Sequence, residues 1–121
     1  MSLSRLALET EARDQGRPVA EIRDALRRAL VVMRGAVERG LAGDLRSASG
    51  LVGGDAAKVG QSNKGPFSGT PFADVLARAL AVQEVNAAMG VIVAAPTAGG
   101  AGVLPAVLTG LAAARGIGGD A

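Results

Sequence analysis

Residues 84–105 read EVNAAMGVIVAAPTAGGAGVLP, and this stretch combines an apolar run with a cluster of small residues. It is apolar up to Ala95 and carries no charged residue after Glu84. We expect a buried element that leads into a turn after Pro96, followed by a helix with Pro105 in its first turn. Small residues leave main-chain N–H groups accessible, and a helix start binds carboxylates or phosphates. The turn is therefore a candidate anion site.

The composition limits the kind of fold the chain can adopt. The 121 residues suffice for one domain, and 49% of them are hydrophobic. Only two are aromatic, both phenylalanine, so the core must be filled by Ala, Val and Leu. Such a core favours closely packed helices. We expect a single all-α domain over residues 1–121, with its 18 glycines concentrated in long loops.

Charge and residue usage exclude several classes of function. The net charge is only +2, and no aromatic residues interleave with the arginines to stack on bases, so we expect no nucleic-acid partner. The chain contains no cysteine and no histidine, which excludes disulfides, thiolate metal sites and histidine-based catalysis within these residues. The first residues carry acids and no apolar signal region, so a cytoplasmic location is expected.

The N-terminal third predicts two helices. Leucines and charges over residues 3–15 predict a short amphipathic helix that ends at Gly16. A second helix should begin near Pro18 and end near Gly40. Its arginine-rich face is interpreted as solvated or subunit-facing. Its apolar stripe consists of Ile22, Leu26, Leu30, Met33 and Val37.

Residues 41–69 lose this periodicity and contain seven glycines, so they predict a long loop with a short helix at about 55–59. A loop of this length in a compact domain is more often functional or disordered than merely connecting. Residues 49–55 are similar to a phosphate-binding turn. They lack the spacing of a P-loop, however, and no strand precedes them.

The next helix has a clear predicted start. Thr70 is a good N-cap, Pro71 suits the first helical position, and the apolar residues that follow occupy more than one face. This central helix should continue to about Ala94 and end before Pro96. Asn86 lies within it among few polar neighbours, which leaves two interpretations open: a core amide with its hydrogen bonds satisfied, or a ligand contact.

A membrane hairpin is an alternative interpretation of the apolar C-terminal third. Its longest continuous apolar run, residues 87–95, is far shorter than the roughly 20 residues needed for a span. Pro96 and the glycine cluster would also place unsatisfied backbone in lipid. We therefore expect no membrane partner.

Three stretches together resemble one enzyme family. They are SGLVGGDAAK at 49–58, GPFSGTP leading into ALAVQEVNAAMG at 79–90, and APTAGGAGVLPAVL at 95–108. In this order and spacing they are similar to the iron–sulfur L-serine dehydratases (L-serine ammonia-lyases), specifically the catalytic α chain of the two-chain form. MRGAVERGLAG at 33–43 extends the resemblance, which covers about residues 20–111.

The resemblance implies a largely helical catalytic domain that converts L-serine to pyruvate and ammonia. It further implies a [4Fe-4S] cluster held by three cysteines, and as partners the remainder of the α chain, a β chain and further copies in an oligomer. Glycine-rich turns would supply N–H donors for the substrate carboxylate. Lys58 is a candidate catalytic residue, although it could simply pair with Asp55 within one helical turn. The substrate-binding residues implied are Ser49, Gly50, Gly53, Gly54, Asp55, Asn86, Pro96, Thr97, Ala98, Gly99 and Gly100.

The chain departs from this family in lacking the thiolates that a cluster requires. Ala101 is a cysteine in some members, and the family's cluster ligands would follow Ala121. We interpret the chain as an N-terminal portion of the α chain that is inactive alone. The alternative is a helical interaction module that kept the fold and lost the chemistry. If half of a cooperative domain is missing, apolar surface around residues 72–94 and 103–114 should be exposed and should promote oligomerisation or aggregation.

Overall fold

The computed structural model describes residues 2–62, 64–95 and 97–117, and within these ranges all regular structure is helical. The predicted all-α class is confirmed. No helix in these ranges is both long and apolar enough to cross a bilayer. The helices are α1 (Leu3–Gln15), α2 (Val19–Leu41), α3 (Asp55–Gln61), α4 (Pro71–Ala87) and α5 (Ala98–Ala114).

The chain divides into two compact units, Met1–Val31 and Val32–Ala121. In the first unit, α1 begins at Ser2, whose hydroxyl accepts a hydrogen bond from the Arg5 N–H. It ends at Gly16, which adopts the left-handed conformation with φ 62°. The predicted first helix and its glycine stop are therefore confirmed. The prediction for α2 is also confirmed, to within one residue at each end.

The second unit has a small aliphatic core. Its buried centre consists of Ala36 and Val37 from α2 together with Val82 and Val85 from α4. The two helices approach closely because α2 presents Gly40, where an added Cβ would lie 2.2 Å from the carbonyl oxygen of Ala81. This core contains no aromatic side chain among the described residues, and the helices fill the space by bringing their backbones close together.

Helices α4 and α5 pack against each other in antiparallel directions. Gly102, near the start of α5, faces Gln83 in the second half of α4, with 2.5 Å between an added Cβ and the Gln83 side-chain nitrogen. Gly110, further along α5, faces Val75 in the first half of α4. Because the numbering runs in opposite directions along the two helices, the start of α5 lies beside the end of α4.

Helix α4 ends at Ala87, so the predicted continuation to about Ala94 is wrong. The Gly90 N–H donates to the carbonyl of Val85 at 2.8 Å, and Met89 adopts φ 60°, a left-handed conformation that terminates a helix. The residues that follow are irregular, and Val91 is exposed. The expected buried element is therefore only partly present: Glu84 and Val85 are buried and Ile92 packs against the core, whereas Met89 and Val91 are exposed.

Helix α5 begins earlier than the sequence pattern predicts. The run of small residues forms the first turns of the helix rather than a loop before it, and Pro105 lies in the helix interior. Thr97 starts the helix, since its hydroxyl accepts a hydrogen bond from the Gly100 N–H at 3.0 Å. The packing of this glycine-rich turn against α4 offsets the low helix propensity of glycine.

Candidate functional site

The centre of the candidate site is a buried carboxylate on α4. The side chain of Glu84 is held by the first turn of α3, and the residue is only 4% exposed. Its Oε2 accepts a hydrogen bond from the Gly54 N–H at 2.9 Å. Its Oε1 accepts from the N–H groups of Asp55 at 2.7 Å and Ala56 at 2.9 Å. A side chain of the protein itself therefore occupies the anion-binding start of α3.

Glu84 was not among the residues predicted for the site. The signal was present in the sequence, because Glu84 is the only charged residue between Arg78 and Arg115. A carboxylate in such an apolar stretch is stable only when it is hydrogen-bonded or paired. The unpaired N–H groups at a helix start meet that need. Only the fold shows that these N–H groups come from residues 54–56.

Glycine is required where the loop meets α3. Gly53 has φ 147°, and an added Cβ would lie 2.1 Å from the carbonyl oxygen of Leu45. Gly54 has φ 83° and directly precedes α3. Both residues let the backbone turn so that three successive N–H groups point at Glu84. These two predicted substrate-binding residues thus have a clear structural role in presenting the loop to α4.

The earlier part of the same loop is closed on itself. The N–H of Gly50 donates to the Ser47 carbonyl at 2.8 Å, and the Val52 N–H donates to the Ser47 hydroxyl at 3.2 Å. The Leu51 N–H donates to the Ser49 hydroxyl at 3.4 Å. Several donors predicted to bind substrate are therefore already used within the chain. Ser49 is exposed, and its hydroxyl also shares a hydrogen bond of 3.1 Å with the Ser47 hydroxyl.

The start of α5 retains more of the predicted character. Gly99 is exposed, and an added Cβ there would meet no atom within 4 Å. Thr97 caps the helix through the Gly100 N–H, and its carbonyl accepts from the N–H of Ala101 at 3.1 Å. Pro96 and the side chain of Ala98, which were also predicted to contact substrate, lie outside the described residues.

The two glycine-rich segments meet the same end of α4. Gly102 in α5 packs against Gln83, and the adjacent Glu84 binds the loop at Gly54. Gln83 thus contacts one segment and the adjacent Glu84 contacts the other. The sequence predicted that the two segments share a site, and α4 is the element that brings both of them to one end of a helix.

The two polar contributors named from sequence lie at the surface. Lys58 pairs with Asp55, with 2.9 Å between Nζ and Oδ1, and their side chains are 76% and 61% exposed. The helical pair weighed as an alternative to catalysis is therefore present. Asn86 is exposed, so its interpretation as a core amide is wrong. It occupies the last turn of α4, two residues from Glu84.

A cleft in this unit lies away from the predicted site. A cleft of about 430 Å³ opens between the end of α3, the start of α4 and the end of α5. Its lining includes Val59, Thr70 and Ala113 but none of the residues predicted for the site. At the start of α5, Thr97 and Gly99 are exposed.

A resident iron–sulfur cluster does not fit the residues present. The chain has no cysteine. Within residues 2–62, 64–95 and 97–117 no three metal-ligating side chains come together. The buried carboxylate at the centre of the site, Glu84, already accepts three hydrogen bonds.

The profile of the family described as "Serine dehydratase alpha chain" matches residues 1–118, nearly the whole chain. The chain belongs to this family. The resemblance carried by the three glycine-rich and apolar stretches is thereby confirmed.

Curated relatives of this serine dehydratase α-chain segment are identical to it at between a third and a half of the aligned positions. The probable L-serine dehydratase, alpha chain of Bacillus subtilis (strain 168) is 48% identical over 85 residues, 65% of this chain and 27% of the relative. The L-serine dehydratase, alpha chain of Peptoniphilus asaccharolyticus is 36% identical over 109 residues, 85% of this chain and 36% of the relative. The L-serine dehydratase of Streptomyces coelicolor (strain ATCC BAA-471 / A3(2) / M145) is 38% identical over 113 residues, 89% of this chain and 24% of the relative.

The chain therefore spans between a quarter and somewhat more than a third of the length of these relatives. No solved structure matches it.

Proposed function

We propose that this chain is a portion of an L-serine dehydratase α chain and binds the carboxylate of L-serine at the start of α5. The observation that carries this assignment is the arrangement of the two helix starts around the end of α4. The start of α3 is filled by Glu84, whereas the start of α5 is exposed and has room at Gly99. A helix N-terminus presents N–H groups and a partial positive charge to an anion.

Each residue of the site has a separate part in this proposal. The backbone N–H groups of residues 98 and 99 form the carboxylate cradle. The Thr97 hydroxyl, which accepts from the Gly100 N–H, donates its own hydrogen to a carboxylate oxygen. Glu84 holds the loop of residues 49–55 against the same end of α4. Ser49 and Asn86, both exposed, are available as polar contacts to the rest of the substrate.

The reaction proposed is removal of water from L-serine, with pyruvate and ammonia as the final products. A [4Fe-4S] cluster with one open iron would supply a Lewis acid for the substrate hydroxyl. The absence of cysteine means that its ligands must come from polypeptide outside these 121 residues. The part assigned to this chain is limited to binding and orienting the amino acid.

The proposed partners are the polypeptides that would supply what this chain lacks. The chain requires the remainder of the α chain, which brings the cluster ligands, and a β chain, as the two-chain naming of its relatives indicates. We place the assembled enzyme in the cytoplasm as an oligomer. Alone, the chain should not release pyruvate from L-serine.

A substitution at Gly99 tests the carboxylate site. Gly99→Asp places a carboxylate in the first turn of α5, where the helix dipole favours it and where no atom obstructs it. Its charge should repel the substrate and raise the Kd for L-serine by roughly tenfold or more. Gly99→Asn, of the same size and uncharged, is the matched control and should change the Kd far less.

The measurement is calorimetric binding of L-serine to the chain assembled with the remainder of the Bacillus subtilis α chain and a β chain, followed by pyruvate release. Equal effects of the Asp and Asn variants would place the carboxylate elsewhere. An assembled complex that contains iron and sulfide but releases no pyruvate would rule out the catalytic role.

A second candidate is a non-catalytic helical interaction module derived from the same family. The exposed apolar side chains of α5 favour it, because such a surface binds protein rather than a small polar substrate. Undetectable L-serine binding in the assembled complex, together with stable association, would support this candidate over the enzyme.

A further inference from the structure

Helix α5 buries its small residues and exposes its large aliphatic residues, the opposite of an ordinary surface helix. The face toward α4 is made of small residues, and the large aliphatic residues point outward. The inward, buried residues are Ala101, Gly102, Pro105, Ala106, Thr109 and Gly110. The outward residues are Val103, Leu104, Val107, Leu108 and Leu111, each between 37% and 56% exposed.

The outward residues form one continuous face. At about 100° per residue they fall within an arc of roughly 140°, and the buried residues occupy the remainder of the helix. Helix α5 contains no charged residue along its 17 positions. Surface helices normally turn polar residues to solvent, whereas helices that are apolar all round lie inside larger proteins. The outward face of α5 is therefore an unpartnered interior face.

Steric constraints fix this orientation of α5. At Gly110, an added Cβ would lie 2.5 Å from Cγ2 of Val75, and at Gly102 it would lie 3.4 Å from the carbonyl oxygen of Ala79 and would displace the end of the Gln83 side chain. Rotating the helix to bury its leucines would push their side chains into α4. The leucines must therefore find their contacts on a different polypeptide surface.

We propose that this outward face docks the remainder of the serine dehydratase α chain. The relatives carry about three to four times the length matched here, so a large amount of chain is available to cover it. The occupant should present an apolar, uncharged helical surface. This partner rests on the proposed function, because the cluster ligands that the reaction needs must come from that same remainder.

The position of the face supports this occupant. Val103 lies four residues beyond Gly99, about 6 Å along the helix axis. A polypeptide seated on the outward face is therefore close to the proposed carboxylate site and can place its ligands beside bound L-serine. A second copy of this chain would cover the same face but would bring no cysteine.

The test is association of the purified chain with the Bacillus subtilis α chain from which the 85 matched residues have been deleted. Leu108→Glu places a charge at the middle of the face and should weaken binding by at least roughly tenfold. Leu3→Glu, at an exposed leucine of α1, is the matched control and should not change it. Leu104→Glu is a second variant in case the first loses helicity by circular dichroism.

Each outcome decides the proposal. Binding that Leu108→Glu or Leu104→Glu weakens and Leu3→Glu does not is the expected result. Binding insensitive to the α5 variants, or no binding by the wild type, overturns it. A homodimer of this chain that only the α5 variants dissociate also overturns the proposal, because a second copy then occupies the outward face. A complex that depends on Leu108 but releases no pyruvate keeps the docking face and removes the proposed function.

Discussion

The Oε1 atom of Glu84 accepts a hydrogen bond from the N–H of Asp55 at 2.7 Å, across 29 positions of sequence. Through this contact and those to the neighbouring N–H groups, α4 holds the start of α3 and the loop before it. Hydrogen bonds to a carboxylate are stronger than those between neutral groups. If a buried carboxylate is removed, water cannot reach its N–H donors to take its place. The end of the glycine-rich loop at Gly54 is consequently buried and anchored to α4, whereas residues 49–52 remain exposed.

Replacing Glu84 should destabilise the chain strongly. Glu84→Ala leaves three N–H groups without an acceptor, two of them at the buried residues Gly54 and Ala56, which should cost more than about 3 kcal/mol in the free energy of unfolding. Glu84→Gln keeps one acceptor oxygen and should cost roughly 1–3 kcal/mol. Urea unfolding followed by circular dichroism measures both, and the exposed Glu38→Gln serves as the control, expected within about 0.5 kcal/mol of wild type. Amide hydrogen exchange at residues 54–56 should accelerate selectively, and unchanged exchange there would contradict the contact.

Two glycines of α2 should respond in opposite directions to the same substitution. Gly40→Ala puts a Cβ 2.2 Å from the Ala81 carbonyl oxygen, so the helices must separate, at a cost of about 1–3 kcal/mol or more. Gly35→Ala meets no atom within 4 Å and should stabilise the helix by roughly 0.5–1 kcal/mol. Urea unfolding of the two variants checks the prediction. Similar effects at both positions would show that α2 and α4 are not in close contact.

Met89 occupies a backbone conformation that favours glycine. Its φ is 60° and its side chain is 86% exposed, so it contributes little packing. Met89→Gly should relieve the left-handed strain and raise the free energy of unfolding by up to about 1 kcal/mol. Met89→Ala removes the side chain but keeps the Cβ and should leave stability nearly unchanged. Thermal unfolding compares the two, and a gain for alanine equal to that for glycine would mean that strain is not the cause.

Lys58 should contribute little to stability. Its ion pair with Asp55 is exposed on both sides and joins residues three apart on one short helix. Exposed pairs of this kind contribute about 0–1 kcal/mol, so Lys58→Ala should change the free energy of unfolding by less than about 0.5 kcal/mol. In the assembled enzyme the same variant separates the two interpretations. Unchanged pyruvate release leaves only the surface pair, whereas a large loss of kcat at unchanged stability would support a catalytic lysine.

Local signals in the sequence predicted most helix boundaries correctly. Gly16 ends α1, and Thr70 with Pro71 starts α4, because caps and prolines act through their own backbone and nearest neighbours. The apolar surface expected around residues 103–114 is exposed as predicted. The end of α4 and the start of α5 were misjudged, because an apolar run does not reveal a left-handed residue at Met89.

The candidate site was predicted only in outline. The two glycine-rich segments named from sequence do meet one end of α4, but the loop of residues 49–55 is tied to Glu84 instead of lying open. Asn86 was interpreted either as a core amide or as a ligand contact, and it lies at the surface. Whether Glu84 or Asn86 faces inward on this central helix depends on where the neighbouring elements pack, and periodicity alone did not decide this.

The sequence by itself determined the helical class, the family and the lack of thiolate ligands, because these follow from composition, local caps and shared motifs. Only the tertiary structure decided which anion site is filled. The antiparallel pairing of α4 with α5 exposes Gly99, and the packing of α3 on α4 gives its first N–H groups to Glu84. A hydrogen bond between residues 29 positions apart depends on the packing of whole helices, which no local pattern specifies.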